Sequence, residues 1–364
     1  MRRNIWRNFD FLLFGAVVFM CIFGVIMIQS AIAGNTELEG YPRRQSIFVA
    51  MGLALVLIVA AIDYHLWSSI AKFIYVFAFG ALFIIFVYGE ARFGSARWID
   101  TGLIFIQPSE IVKIMMIMFL AEHFDRTKDE KRDLRWIGRS FLLTFGVVIW
   151  ILLQPNLSTS IVIFVVWFAL LWVSGLPVKY IAILAVIGII LIAIAFPFLE
   201  DYQQARILNF LFPNPEASYG EEYNIQQSKI AIGSGGWFGE GYGQGTQTQL
   251  RFMKVRHTDF IFSVVAEEFG FVGAMGVIGM MVFIILRCLR VAQTASDNYG
   301  SLLAFGYAAM LFFQVAVNVG VNLNLIPVSG LPFPFLSYGG SSLISTIIGI
   351  GLVESVALRK KIIE

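Results

Sequence analysis

The chain has 364 residues, of which 58% are hydrophobic and only 14% charged, with a formal net charge of +2. A soluble domain runs at about 45–50% apolar and about 25% charged, so a water-soluble enzyme and a disordered chain are both excluded. The near-zero net charge gives no reason to expect a nucleic-acid partner, and Cys21, Cys288 and the scattered His65, His123 and His257 form no disulfide or zinc pattern. A helix needs about 20 mostly apolar residues to cross a bilayer. Windows of that size predict an all-α polytopic membrane protein with ten spans, at roughly 9–33, 46–62, 70–88, 109–122, 140–154, 158–174, 178–199, 260–286, 301–325 and 338–358. The fourth and fifth are short and carry polar residues. The start imitates a secretory leader ending at Ala31-Ile32-Ala33, but the apolar run is longer than the usual 7–15 residues and more spans follow.

Basic loops stay cytoplasmic. With the N-terminus inside, the inner segments hold sixteen basic residues against nine outside, six of the sixteen lying between Arg126 and Arg139. Both termini are therefore expected to be cytoplasmic. The chain reads as one membrane domain over 1–364, with an extracytoplasmic loop at approximately 200–259 between the seventh and eighth spans. That loop far exceeds the ordinary connection of about 4–6 residues, and its aromatics and glycines predict that it folds onto the membrane surface.

Charges within a bilayer are functional candidates. Gln107-Pro108-Ser109-Glu110-Ile111-Val112-Lys113 opens the fourth span, and Glu110 and Lys113, three apart, share a helix face. Two readings stand: a neutralised pair that holds the bundle together, or a carboxylate and an ammonium lining an outward cavity. Gln154-Pro155-Asn156-Leu157-Ser158-Thr159 reads as a tight turn between two spans. Arg97 and Arg206 read as interfacial side chains, or, with Lys113, as three outer cations able to hold a pyrophosphate. The glycines from Gly233 to Gly245 carry no nucleotide-binding register, although such a loop can bring backbone amides to an anion. Asp259 stands at the mouth of the eighth span, where Thr258 or Asp259 itself is placed to cap the helix. Glu267 lies about 12 Å further along that helix at 1.5 Å per residue, which does not suit paired-carboxylate glycoside hydrolysis. Gly270, Gly273, Gly276 and Gly279 recur every third residue, a spacing that permits close helix packing. Asn318, Asn322 and Asn324 put three amides on the ninth span.

Taken together, Arg97-Trp98-Ile99, Gln107-Pro108-Ser109-Glu110 with Lys113, Ala231-Ile232-Gly233-Ser234-Gly235-Gly236, His257-Thr258-Asp259-Phe260-Ile261-Phe262 and Leu331-Pro332-Phe333-Pro334-Phe335 through Ser342 resemble the SEDS family of shape, elongation, division and sporulation proteins. The resemblance covers essentially the whole chain. Gly245-Thr246-Gln247-Thr248-Gln249-Leu250 makes it more similar to the elongation branch than to the division branch. Asn156 departs from the pattern, standing where many relatives carry Asp, which weakens any cation-holding role there.

The resemblance implies a peptidoglycan glycosyltransferase of cell elongation and rod shape in the bacterial inner membrane. It would polymerise lipid II into β-1,4-linked glycan with release of undecaprenyl pyrophosphate. Asp259 is then the expected base of an inverting transfer, with Lys113, Glu110, Arg206, Arg97 and Ser342 binding substrate. The developing charge is expected to be met by these cations or by a divalent cation, Mg2+ or Mn2+, with Asp259 as its ligand. The expected partner is a class B penicillin-binding protein, a transpeptidase docking on the eighth and ninth spans. The rival reading is a lipid II flippase, which needs access to both leaflets, whereas the polar features here cluster on the outer side.

Overall fold

The computed structural model describes residues 5–88, 90–92, 95–100, 105–213, 220–253 and 255–360. Each predicted apolar segment falls on a helix. These are α1 (Phe11–Ala31), α2 (Tyr41–Ala61), α4 (Ala71–Tyr88), α5 (Pro108–Arg126), α6 (Leu134–Leu153), α7 (Leu157–Val173), α8 (Val178–Ala195), α12 (Ile261–Thr294), α13 (Asn298–Asn322) and α14 (Gly340–Leu358). Shorter helices α3 (Tyr64–Ser69), α9 (Asp201–Leu211), α10 (Gly220–Ser234) and α11 (Thr246–Gln249) complete the series. Among the described residues, six segments, containing α1, α2, α6, α12, α13 and α14, are long and apolar enough to cross a membrane.

Local chemistry sets the helix ends. Asp10 caps α1 by accepting from Leu13 N, and Asp133 caps α6 by accepting from Trp136 N, which starts that helix six residues before the apolar window. Pro42 near the start of α2 and Pro108 near the start of α5 occupy first-turn positions where the missing N–H costs nothing. The two short windows lengthen accordingly, to 19 residues in α5 and 20 in α6.

One element was not anticipated. Between α4 and α5 lie β1 (Glu90–Arg92), β2 (Ser95–Asp100) and β3 (Phe105–Ile106), an antiparallel ribbon in the order β1-β2-β3. It joins β2 to α5 and β3 to α14 at the predicted outer end.

The core is continuous through the bundle. Helix α14 packs along α2, α12 along α13, and α5 against α4, α7, α13 and α14. The helices α13 and α14 are largely enclosed, while α1, α8 and α12 leave long apolar faces exposed. An apolar surface of that kind is solvated by lipid rather than water.

The long connection is folded, with α10 lying on α12 and α13. It seats on a break in α12, where Gly270 adopts φ +65°. In an unbroken helix Phe271 N would bond Glu267 O. Here Phe271 N bonds Gly236 O at 2.8 Å, and Glu267 O instead accepts Glu240 N at 2.9 Å. The loop thus satisfies the groups that the break sets free, which is how irregular backbone survives in a membrane protein. A Cβ at Gly270 would meet the backbone of Trp237 to Gly239. Gly270 is therefore not part of an open packing stripe, whereas Gly276 and Gly279 have open space beside them.

Candidate functional site

Asp259 lies in the turn that leads into α12 and is half-buried. Its backbone is held at three successive carbonyls. His257 O accepts from Tyr338 N at 2.9 Å, Thr258 O from Ser337 Oγ at 2.6 Å, and Asp259 O from Asn318 Nδ2 at 3.1 Å and Asn322 Nδ2 at 3.0 Å. The side chain points towards Gly330, whose Cβ would stand 4.0 Å from Asp259 Oδ2. The expected capping role of Thr258 or Asp259 is not what the structure has. The residue before the helix is Phe260, with no side-chain cap, and Ser263 N donates instead to Asn322 Oδ1 at 3.1 Å. An amide from α13 therefore caps α12 and holds the Asp259 carbonyl at once.

The amides on α13 thus acquire a purpose that spacing alone did not give them. Asn318 and Asn322 are both fully enclosed, and Asn322 also donates to Asn318 O at 2.8 Å. Replacing Asn322 with Leu would leave Asp259 O with one donor, Ser263 N with Phe260 O alone, and the buried Asn318 Oδ1 without the donor it takes from Asn322. An unmet buried group costs about 1–3 kcal/mol. We expect the Asn322→Leu protein to unfold at lower temperature and to lose activity in parallel, as read by thermal unfolding beside a turnover assay.

A second missed residue is Gln45 on α2, buried and aligned with the Leu331 to Gly339 connection. Its Nε2 donates to Ser337 O at 3.1 Å and its Oε1 accepts from Gly339 N at 3.3 Å. Ser337 Oγ, in turn, accepts from Phe333 N at 2.8 Å while donating to Thr258 O. Gln45 therefore supports Asp259 through one intermediary. Nothing local in the sequence marks it, because both partners lie almost 300 positions away.

His257 sits against the rings of Tyr41 and Tyr338, 5.5 and 6.0 Å between centroids. Burial first, and the neighbouring Arg256 second, push its pKa down to about 4. The ring is neutral at pH 7 and is no cation for a phosphate.

Glu110 and Lys113 form an ion pair on the first turns of α5, Nζ to Oε2 2.9 Å, with side chains only 5% and 2% exposed. Beyond this contact, neither atom has a hydrogen-bond partner among the described residues. The pair is thus both buried and incompletely satisfied. Ser109, beside it, accepts from Asn156 Nδ2 at 3.3 Å, and Asn156 Oδ1 caps α7 by accepting from Thr159 N. Asn156 therefore serves the turn that the sequence predicts.

That turn connects the candidate residues. Arg206 lies on α9 with its guanidinium 5.4 Å from the Tyr202 ring centroid, and Tyr202 Oη donates to Pro155 O at 2.6 Å. On its other flank, Ser158 Oγ donates to Ser329 O, next to Gly330 and so to Asp259. Ser342 lies half-buried in the first turn of α14, beside Ser341, whose Oγ accepts from Gln107 N at 3.2 Å. Asp259, Glu110, Lys113, Arg206 and Ser342 thus all stand at one end of the bundle, linked through residues 155–158 and 329–341. Arg97 is on β2 at the same end, and its side chain lies outside the described residues.

The Gly-rich loop is committed elsewhere. Glu240 N and Gly241 N bond α12 carbonyls, at 2.9 and 3.0 Å, so these amides do not face an anion. Glu267 accepts from Gln247 N at 2.6 Å and from Thr248 N and Oγ1 at 3.1 and 2.6 Å, clasping α11 to α12. Among the described residues, no three His, Cys, Asp or Glu side chains converge on one point.

Residues 10–362 match the model of the cell cycle protein family of FtsW, RodA and SpoVE. The chain is 35% identical to the peptidoglycan glycosyltransferase MrdB of Escherichia coli over 346 residues, 95% of this chain and 92% of that one. It also superposes on a chain solved in work on structural coordination of polymerization and crosslinking by a peptidoglycan synthase complex. That match has a TM-score of 0.82 and 30% identity, covering 97% of this chain and 98% of that one. The rod shape determining protein RodA of Thermus thermophilus matches with a TM-score of 0.72 and 30% identity, covering 97% of each chain. The ordered motifs, the helical bundle and these matches agree: this multi-pass membrane chain belongs to the SEDS family of FtsW and RodA proteins.

Proposed function

We propose that the chain is a peptidoglycan glycosyltransferase that polymerises lipid II during cell elongation, with Asp259 as general base. The observation that carries this is the pinning of three consecutive carbonyls around Asp259 while its carboxylate stays at the accessible end of the bundle. A fixed carboxylate suits a reaction that needs one base. The leaving pyrophosphate is stable as an anion, so no general acid is needed.

In the reaction, the acceptor sugar's hydroxyl oxygen attacks the anomeric carbon of the donor. The new C–O bond forms as the bond to pyrophosphate breaks, and the hydroxyl proton passes to Asp259. Attack opposite the leaving group turns an α-linked donor into a β-1,4 product. Lys113 supplies charge to the departing phosphates, and its incompletely satisfied ammonium is suited to that. Arg206 and Arg97 approach from α9 and β2, and Ser342 adds a hydroxyl donor. Glu110 holds Lys113 in place through their ion pair. The lone carboxylate of Asp259 also fits Mg2+ or Mn2+, since Mg2+ binds through one or two carboxylates plus substrate phosphates; such an ion would neutralise the leaving group.

Purified protein supplied with lipid II should yield glycan chains and undecaprenyl pyrophosphate in step. Intact lipid II after prolonged incubation with folded protein would overturn the proposal.

The basic-residue count places both termini in the cytoplasm with ten spans. Alkaline phosphatase fused after Glu364 should therefore be inactive, and an active fusion would reverse that orientation.

The partner is a class B penicillin-binding protein with one membrane helix, seated on α12 and α13. The solved relative from a synthase complex and the open spaces at Gly276 and Gly279 support this. Phe271, Val272, Met275 and Phe312 extend the same exposed apolar surface. Because Gly276 is exposed and a Cβ there would meet no described atom within 4 Å, Gly276→Leu should fold normally yet lose copurification with the transpeptidase. Retained copurification would move the contact elsewhere.

A further inference from the structure

At the opposite end of the bundle from Asp259, a cavity of about 470 Å³ lies between the start of α1 and the ends of α12 and α14. Its inner wall is a hydrogen-bonded network. Asp10 Oδ2 accepts from Arg287 Nε at 2.9 Å and Nη2 at 2.6 Å, while Asp10 N donates to Glu354 Oε2 at 2.9 Å. Three helices are tied there, and Arg287 is neutralised. Three further lining side chains, Arg7, Arg290 and Lys360, are exposed and make no ion pair with any described residue. The described lining side chains therefore carry a net charge of about +3. Phe11 and Leu12 form part of its rim, and they are 69% and 61% exposed on the surface that faces lipid. Leu286, one residue before Arg287, is 57% exposed on the same stretch of α12.

A ligand that satisfies both features is an amphiphile with an anionic head. Guanidinium forks match phosphate oxygens in geometry, and basic pockets between membrane helices are suited to anionic lipid headgroups. The volume falls in the range of specific ligand sites rather than of a bare surface patch. We infer that this cavity binds the phosphate headgroup of an anionic glycerophospholipid from the leaflet facing the N-terminus, its acyl chains lying along Leu12 and Leu286. The site is separate from the glycosyl-transfer end, and it does not depend on which compartment the N-terminus occupies.

The test uses the full chain in detergent, titrated with phosphatidylglycerol and with phosphatidylcholine and read by native mass spectrometry. Phosphatidylglycerol should bind at least tenfold more tightly. Each basic side chain near an anionic lipid is worth about fivefold, so Arg7→Gln/Arg290→Gln/Lys360→Gln should weaken phosphatidylglycerol about 100-fold and leave phosphatidylcholine unchanged. All three side chains are exposed and outside the Asp10 network; should the triple variant nonetheless fail to fold, Arg290→Gln alone should still show the fivefold loss. Neutralising Lys128 and Lys131 on the loop before α6, with Arg135 in its first turn, should change nothing. Equal affinity for the two lipids, or an unaltered triple variant, would overturn the site. Displacement by glycerol 3-phosphate at the lipid's own concentration would assign it to a soluble phosphate and overturn the lipid reading.

Discussion

Asp259→Asn is expected to abolish polymer synthesis while leaving a folded, lipid-binding, partner-competent protein. General base catalysis contributes about 10²–10⁴ in rate, and Asn keeps the size of Asp without its basicity. The fold should survive because the bonds that hold this turn go to backbone carbonyls, which the substitution leaves in place. Nor does α12 lose its cap, since Asn322 supplies it from α13. A thermal unfolding curve superimposable on that of the unaltered protein, beside a rate at least 100-fold lower, is the expected pair of results. Near-normal glycan synthesis would remove Asp259 from the chemistry.

Lys113 gives the second large effect, with a complication that the buried pair imposes. Removing one member of a buried ion pair strands the other and costs about 3–5 kcal/mol. Lys113→Ala should therefore lose both stability and activity, which by itself does not separate packing from catalysis. The double substitution Glu110→Gln/Lys113→Met removes both charges in similar volume and should recover stability. If Lys113 stabilises the leaving pyrophosphate, the double variant will still polymerise about 10²–10³-fold more slowly, the usual cost of losing one group aimed at developing charge. Recovery of activity together with stability would make the pair purely structural. Arg206 on α9 is the half-buried counterpart, and Arg206→Ala should slow polymerisation with a much smaller change in unfolding temperature than Lys113→Ala.

Much of the fold is legible because membrane helices are written in composition. A run of about 20 apolar residues has few alternatives in a bilayer, and so the ten windows land on ten helices. What local reading missed is long-range. The start of α6 at Leu134 follows from Asp133 as cap, a polar signal outside the apolar window. The β2 strand is six residues of mixed polarity, too short to show a period. Gly270 looks like one of four equivalent small residues, yet it alone has φ +65° and lies under the loop.

The candidate site divides in the same way. Asp259, Glu110, Lys113, Arg206 and Ser342 are visible as polar residues at span mouths, and the structure gathers their elements at one end. The supports are not visible in this way. Asn322 and Gln45 act on a turn far from them in sequence, and an amide in an apolar run gives no hint of which carbonyl it will meet. Glu267, excluded as a second catalytic carboxylate by its spacing, proves to hold Thr248 and the Gly-rich loop in place.

The most direct test is made in proteoliposomes, with lipid II supplied on the face that carries Asp259. Glycan length and lipid translocation are read separately for the unaltered protein and for Asp259→Asn. The account predicts polymer from the unaltered protein, none from the variant, and no difference in translocation between them. Translocation that depends on Asp259, without polymer from either protein, would contradict it.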